Sequence, residues 1–261
     1  MDTTIVTSLY DIGRGSWPNF KRTYNEYFTY FKNILSLDCS MTIYIDEKDL
    51  NVVNLLRSEI DPEFKKTKIL TNKFTELEAY KKFYTRTKDV MNSKEFITKR
   101  HDSHTPEMLY PEYNIINFNK VSFLENSIIN NFFNSEYFIW LDAGFYHDRF
   151  PKEIMYKTYP DANKIKILND NKVHFLSLCD DNHIELSSYL DTRVSITGSM
   201  FAGKSEPLLE LKKMCFYVID NFLNNKTIND DQTVYAYAYK ENKNLFNLTK
   251  GNWFDNIYYY V

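Results

Sequence analysis

Cysteine is scarce in this 261-residue chain. Cys39, Cys179 and Cys215 are far apart and odd in number. No CxxC occurs, so the sequence encodes neither a disulfide framework nor a thiolate metal cluster. Each thiol reads as a small buried side chain in a reducing compartment. Glycine is also scarce, at six residues, and none falls in a GxGxxG or P-loop pattern. No window approaches 18 uninterrupted apolar residues, which excludes a membrane-spanning helix. The start, Met1-Asp-Thr-Thr-Ile-Val, lacks a basic n-region and a long apolar segment, so no signal peptide is expected. Net charge is −3 with both signs mixed along the chain, without the basic footprint of a nucleic-acid binder. The local lysine clusters, such as Lys65-Lys66-Thr67-Lys68, read as a solvated face. The expectation is a cytoplasmic protein with no nucleic-acid partner and no transmembrane segment. Peripheral contact with a membrane surface stays open.

Aromatic residues, in contrast, are plentiful. Tyr (21) and Phe (20) bring the aromatic share to 17%, within a hydrophobic share of 43%. Such a chain can bury a large core, and disorder is not its default. The aromatic excess is a general compositional bias, so no single aromatic is read as a binding platform.

The most informative stretch is Glu136-Tyr-Phe-Ile-Trp-Leu-Asp-Ala-Gly-Phe-Tyr-His147. Tyr137 to Leu141 is a continuous apolar, aromatic and β-branched run, the pattern of a strand buried on both faces in a parallel sheet. It ends at Asp142, followed by Ala143 and Gly144, which leave room for a ligand to approach. In open α/β sheets the ligand crevice lies beyond the carboxyl ends of the strands. Asp142 is therefore either a handler of a metal or phosphate-bearing ligand, or a cap for the next turn.

Other segments support the same architecture. Thr4 to Tyr10 is a β-branched run ending in Asp11-Ile-Gly-Arg-Gly15, where glycines allow close backbone approach and Arg14 offers a phosphate fork. An ordinary turn reads equally well there. Trp17 to Leu37 carries apolar residues at helical spacing, and Met41 to Asp46 is a second strand ending in an aspartate. A helix over Asp49 to Ser58, a strand over Thr67 to Leu70 and a helix over Phe74 to Asn92 follow. From Lys94 to Tyr113 the pattern loosens, and His101 and His104 read as an exposed loop rather than a metal pair. Tyr113 to Asn130 runs as one helix that includes Lys120. Lys172 to Leu178 is another strand, followed by Asp180-Asp181, which fits an acidic turn. Gly198 and Gly203, five apart in Ser195 to Gly203, suggest backbone pressed against a ligand. Glu206 to Asn224 is a helix, and another runs from Asn229 through Ala238, with Asp230 fitting an N-cap. A terminal aromatic strand follows Thr249-Lys-Gly-Asn-Trp253. No repeat, linker or low-complexity segment interrupts the chain. Strand–helix alternation predicts α/β structure with mostly parallel order, in one domain over 1–261.

Several of these blocks are similar to a known family. They are Thr4-Ile-Val-Thr with Asp11 to Gly15 and Trp17, Tyr113 to Leu124, Phe133 to Gly144, Gly198 to Glu206, and Asp230-Asp-Gln232. Together the blocks resemble the HtrL/YibB-like proteins over nearly the whole chain, most specifically in the middle. The resemblance implies a GT-A-like (Rossmann-like) fold and glycosyltransferase activity in surface-polysaccharide synthesis. Such enzymes place a DxD-type motif at a strand end to hold a divalent cation, Mn²⁺ or Mg²⁺, that neutralises the leaving diphosphate. Asp142-Ala143-Gly144 occupies that place but lacks the second carboxylate. Asp148, Asp255 and Asn252 are candidates for a second metal partner, and a metal-free site using Lys and Arg is the alternative.

Further roles are implied by the resemblance. Thr7 and Ser8 line the nucleoside pocket, Asp11 meets the base or ribose, and Arg14 meets the diphosphate. Lys120 lies near donor sugar and phosphates, Gly198 and Gly203 frame the sugar or acceptor pocket, and Gln232 contacts the sugar. Asp231, ahead of Asp230, is the base for an acceptor hydroxyl. Lys250 closes over the leaving phosphate. The donor is a nucleoside-diphosphate sugar, UDP favoured, and the acceptor a glycan or glycoconjugate hydroxyl. A non-catalytic nucleotide-sugar or carbohydrate binder of the same fold is the alternative function.

Overall fold

The computed structural model describes residues 3–100, 105–145, 150–180, 184 and 194–261. In chain order the strands are β1 (Thr3–Leu9), β2 (Ser40–Ile45), β3 (Thr67–Thr71), β4 (Tyr137–Leu141), β5 (Val173–Ser177), β6 (Ile196–Lys204) and β7 (Phe246–Lys250). The α-helices are α1 (Tyr24–Leu35), α2 (Leu50–Ser58), α3 (Glu78–Asn92), α4 (Lys94–Lys99), α5 (Pro106–Leu109), α6 (Pro111–Phe118), α7 (Lys120–Asn130), α8 (Ser205–Asn224) and α9 (Asp231–Glu241). The strands form one sheet in the order β3-β2-β1-β4-β6-β5-β7. β1 to β4 run parallel, β6 runs antiparallel to both β4 and β5, and β5 pairs parallel with β7. The expected α/β class and mostly parallel central sheet are therefore present, with one strand reversed near the middle.

Strand β4 is central and wholly buried. Its alternation divides the core. Phe138 and Trp140 pack on the face covered by α3, α6, α7, α8 and α9, and Tyr137, Ile139 and Leu141 on the face covered by α1 and α2. Burial on both faces is why the run needs no polar alternation. Arg57 of α2 is fully buried beneath the second face and donates to the carbonyls of Leu35 (2.8 Å), Leu37 (2.8 Å) and Cys39 (3.1 Å). A cation on the last carbonyls of α1 also complements the negative end of that helix.

Three expected elements differ. The helix expected from Trp17 begins at Tyr24, because Thr23 caps it: Glu26 N donates to Thr23 Oγ1 (3.2 Å) and Thr23 N to Glu26 Oε2 (2.7 Å). Trp17 instead stacks on Tyr110, with centroids 3.8 Å apart. The single helix expected over Tyr113 to Asn130 is divided at Asn119, whose side-chain oxygen accepts from Ala79 N at 3.0 Å. Lys120 thus opens α7. Ser195 to Gly203, whose two glycines suggested backbone pressed against a ligand, contributes most of β6. The expected terminal aromatic strand is a 3₁₀ turn over Asp255–Tyr260, and Ile257 and Tyr260 are buried in the second core face.

Candidate active site

The carboxyl end of β4 opens into a cavity of about 310 Å³, lined by Ser8 near the end of β1, by Asp11 and Arg14 after it, by Asn117 and Lys120, by Asp142 to Phe145, and by Gln232. Asp142 N donates to Ser199 O at 2.9 Å, which carries the β4–β6 ladder one residue beyond the strand. This fixes Asp142 at the mouth of the crevice. Among the described residues its side chain caps no turn. Its Oδ1 accepts from Trp140 Nε1 (2.7 Å), and its Oδ2 accepts from Lys120 Nζ (3.2 Å).

Lys120 is the centre of the cluster. Its Nζ also donates to Asp231 Oδ2 (2.9 Å) and Gly198 O (3.1 Å). An ammonium has three N–H groups, so these three acceptors saturate it. The Lys120 side chain is 6% exposed and that of Asp231 5%, while that of Asp142 is 29% exposed. Burial works against the Lys120 ammonium, but the flanking Asp142 and Asp231 outweigh it and raise its pKa above the ordinary lysine value. Burial raises the pKa of Asp142; Lys120 opposes the rise and Asp231 adds to it. The result is a carboxylate–ammonium–carboxylate bridge whose outer member, Asp142, reaches the cavity.

Gly198 is required here by space. A Cβ at that position would stand 2.3 Å from Asp231 Oδ2 and 3.1 Å from the Tyr235 ring. Gly144 is confined from the other side, since a Cβ there would lie 2.9 Å from Tyr27 Cε1. The same Tyr27 accepts from Arg14 Nη1 at 2.5 Å, and Arg14 Nε donates to Phe20 O at 2.9 Å. The Arg14 guanidinium also lies 5.6–5.7 Å from the ring centres of Trp17, Tyr27 and Tyr113.

Other expected site residues fall elsewhere. Thr7 is fully buried and does not line the cavity, whereas Ser8 does. Gly203 pairs with Phe138 near the start of β4, away from the crevice, and a Cβ there would meet Lys172 O at 3.0 Å. Its role is packing, not framing a ligand pocket. Lys250 ends edge strand β7, outside the cavity lining, and ion-pairs with Asp180 at 2.9 Å. Asp230 is the N-cap of α9, accepting from Thr233 N at 3.1 Å. Burial, then the neighbouring Asp231, push its pKa up to about 8. Asp11 faces the cavity and accepts from Gly13 N at 3.0 Å. Asp148, Asp181, His101 and His104 lie outside the described residues.

The described residues do not fit a divalent cation at Asp142. Both its oxygens face the Lys120 ammonium at 3.1–3.2 Å, so a bound cation would sit against a fixed positive charge. Asp255 and Asn252 bond each other, with Asn252 N at 2.7 Å from Asp255 Oδ2, and neither lines the cavity. Among the described residues no group of three or more His, Cys, Asp or Glu side chains is placed to hold a metal. Sequence reasoning missed Tyr27, Tyr113 and Trp140 because each sits in an apolar pattern that reads as core. Arg22, also on the cavity wall, carried no motif.

The mostly parallel sheet with one reversed strand, and a polar cluster at the carboxyl end of its central strand, define a single-sheet α/β protein with a crevice at the strand ends. The model of a family described as "Bacterial protein of unknown function (HtrL_YibB)" matches residues 1–261, and the chain belongs to that family. It is 26% identical to "Protein HtrL" of Escherichia coli (strain K12) over 270 residues, covering 97% of this chain and 90% of that one. Among solved structures, apo mouse xyloside xylosyltransferase 1 is similar with a TM-score of 0.49 at 10% identity, covering 95% of this chain and 85% of the other. A 4-diphosphocytidyl-2C-methyl-D-erythritol synthase from Anaerococcus prevotii DSM 20548 gives a TM-score of 0.39 at 8% identity, covering 100% and 89%.

Proposed function

We propose that this protein is a glycosyltransferase that moves a sugar from a nucleoside-diphosphate sugar, UDP favoured, to a hydroxyl of a glycan or glycoconjugate. The observation that carries this reading is the Asp142–Lys120–Asp231 bridge at the carboxyl end of β4, opening into a cavity that also holds Arg14. In this reading Ser8 and Asp11 meet the nucleoside, Arg14 meets the diphosphate, and Gln232 contacts the sugar.

Transfer requires the acceptor oxygen to bond the anomeric carbon as the bond from that carbon to the diphosphate oxygen breaks. The electron pair leaves with the nucleoside diphosphate, and the acceptor proton goes to a carboxylate. Asp142 is the member of the bridge with exposed surface, and burial raises its pKa toward the range useful to a base. It takes the proton in this proposal. Asp231, covered and bonded to Lys120, positions the ammonium that holds Asp142 in place. Lys120 spends its donors inside the cluster, so the diphosphate falls to Arg14. No step is routed through a divalent cation.

The test is a panel of nucleotide sugars, each followed for release of nucleoside diphosphate, with wild type and Asp142→Asn side by side. Wild type is expected to turn over at least one donor. The near-isosteric variant should keep its fold and lose roughly 10²–10⁴ in rate. Turnover equal in both would refute the role given to Asp142. Donor binding without turnover, even with glycan acceptors present, would favour a non-catalytic binder, the reading that the missing carboxylate at Gly144 supports.

A further inference from the structure

We infer that the nucleoside diphosphate is held in this cavity without a divalent cation, with the Arg14 guanidinium as the fixed counter-charge and Tyr27 as its positioning residue. The inference rests on the proposed function, since it concerns how that donor is bound.

Two independent features lead to it. The first is steric. Residue 144 is where a second carboxylate would complete a cation site with Asp142, and Tyr27 has taken that room, its ring edge 2.9 Å from where a Cβ would stand. The packing of α1 against the turn after β4 therefore leaves no room for a carboxylate at residue 144 with Tyr27 in place. The second is electrostatic. The remaining carboxylate is already paired: Lys120 Nζ stands 3.1 Å from Asp142 Oδ1 and 2.9 Å from Asp231 Oδ2. Replacing that ammonium with a metal would require expelling a buried lysine from three acceptors.

A leaving diphosphate still needs positive charge. The same tyrosine that closes the cation position holds the guanidinium. Tyr27 OH accepts from Arg14 Nη1 at 2.5 Å and Phe20 O accepts from Arg14 Nε at 2.9 Å. One phenol ring thus spans from Gly144 to Arg14. Guanidinium has five N–H donors in a planar fork suited to two phosphate oxygens. The hydrogen bonds to Tyr27 and Phe20 fix its plane, and its central carbon lies 5.6–5.7 Å from the ring centres of Trp17, Tyr27 and Tyr113. A guanidinium so anchored costs little further ordering when the phosphate arrives.

Calorimetric titration of the full chain with UDP, GDP, CDP and ADP, in EDTA and again with Mn²⁺ or Mg²⁺, tests this. The expected result is binding in EDTA whose Kd changes by no more than about twofold on adding metal, apart from the metal's own hold on the nucleotide. Arg14→Met should weaken the EDTA Kd by roughly 10–100-fold. Tyr27→Phe, which keeps the ring over Gly144 and removes only the phenol oxygen, should weaken it by roughly threefold to tenfold with unchanged thermal stability. Affinity that appears only with metal, or tightens more than about tenfold, overturns the inference and leaves the proposed function standing. Undiminished affinity in both variants also overturns it. No binding of any nucleoside diphosphate in either buffer overturns the proposed function, and the inference with it.

Discussion

Replacing Lys120 by Met removes the ammonium while keeping most of the side-chain volume, and its consequence can be worked from the cluster. Three hydrogen bonds vanish, to Asp142, Asp231 and Gly198. Two carboxylates that shared one cation then face each other. Breaking a buried ion pair by deleting one partner costs about 3–5 kcal/mol. Asp231 takes the full effect at 5% side-chain exposure, but water screens Asp142 at 29%. A loss of about 3 kcal/mol at neutral pH is therefore expected, which for a chain of this size lowers the midpoint by roughly 6–12 °C.

The pH dependence supplies a sharper test. Without the ammonium, burial and the facing Asp231 carboxylate hold the folded pKa of Asp142 further above its unfolded value, since the opposing effect of Lys120 is gone. The folded variant then binds more protons than the unfolded chain, so its stability rises as pH falls. Urea unfolding of wild type and variant at about pH 7.5 and about pH 5.5 should show the gap narrowing at the lower pH. A loss below about 1 kcal/mol, or one equal at both pH values, would refute the view that Lys120 neutralises the pair.

Gly198→Ala puts a methyl 2.3 Å from Asp231 Oδ2 and 3.1 Å from Tyr235. Turnover should fall by roughly tenfold or more as the bridge shifts, and an unchanged rate would show that Asp231 can move without consequence. Asp230→Asn keeps an N-cap of similar strength but removes a carboxyl whose pKa burial lifts to about 8. Because that folded value exceeds the unfolded one, wild type loses stability as pH rises between the two. The variant should therefore match wild type near pH 4 and exceed it by about 1 kcal/mol or more near pH 8 in thermal melts. A parallel pair of stability curves would count against the buried-carboxyl account.

The sheet was legible wherever strands are buried on both faces, because an unbroken apolar run such as Tyr137 to Leu141 has few other readings. Asp142 and Asp231 could each be proposed from local signals, a strand end and a helix start. Their meeting at Lys120 could not, since it spans sequence separations of 22 and 111 residues and depends on β6 entering the sheet reversed. That reversal also decides which of the two glycines meets the crevice. In a strand they stand roughly 17 Å apart, so only one end can lie at the crevice. Gly198 is at that end, and Gly203 packs at the other. Spacing alone does not reveal strand direction. Tyr27 was hidden differently. On a helical aromatic stripe it reads as core, and its second role, closing residue 144 while holding Arg14, exists only after α1 docks.

A crystal structure with a bound nucleoside diphosphate tests the central claim most directly. The account predicts the nucleoside beside Ser8 and Asp11, the diphosphate within hydrogen-bond distance of Arg14, and its terminal phosphate directed toward Asp142. A nucleotide bound instead in the separate groove formed by Asn72, Glu76, Glu125 and Asn126, or at Asp142 through a metal that has displaced Lys120, would contradict it.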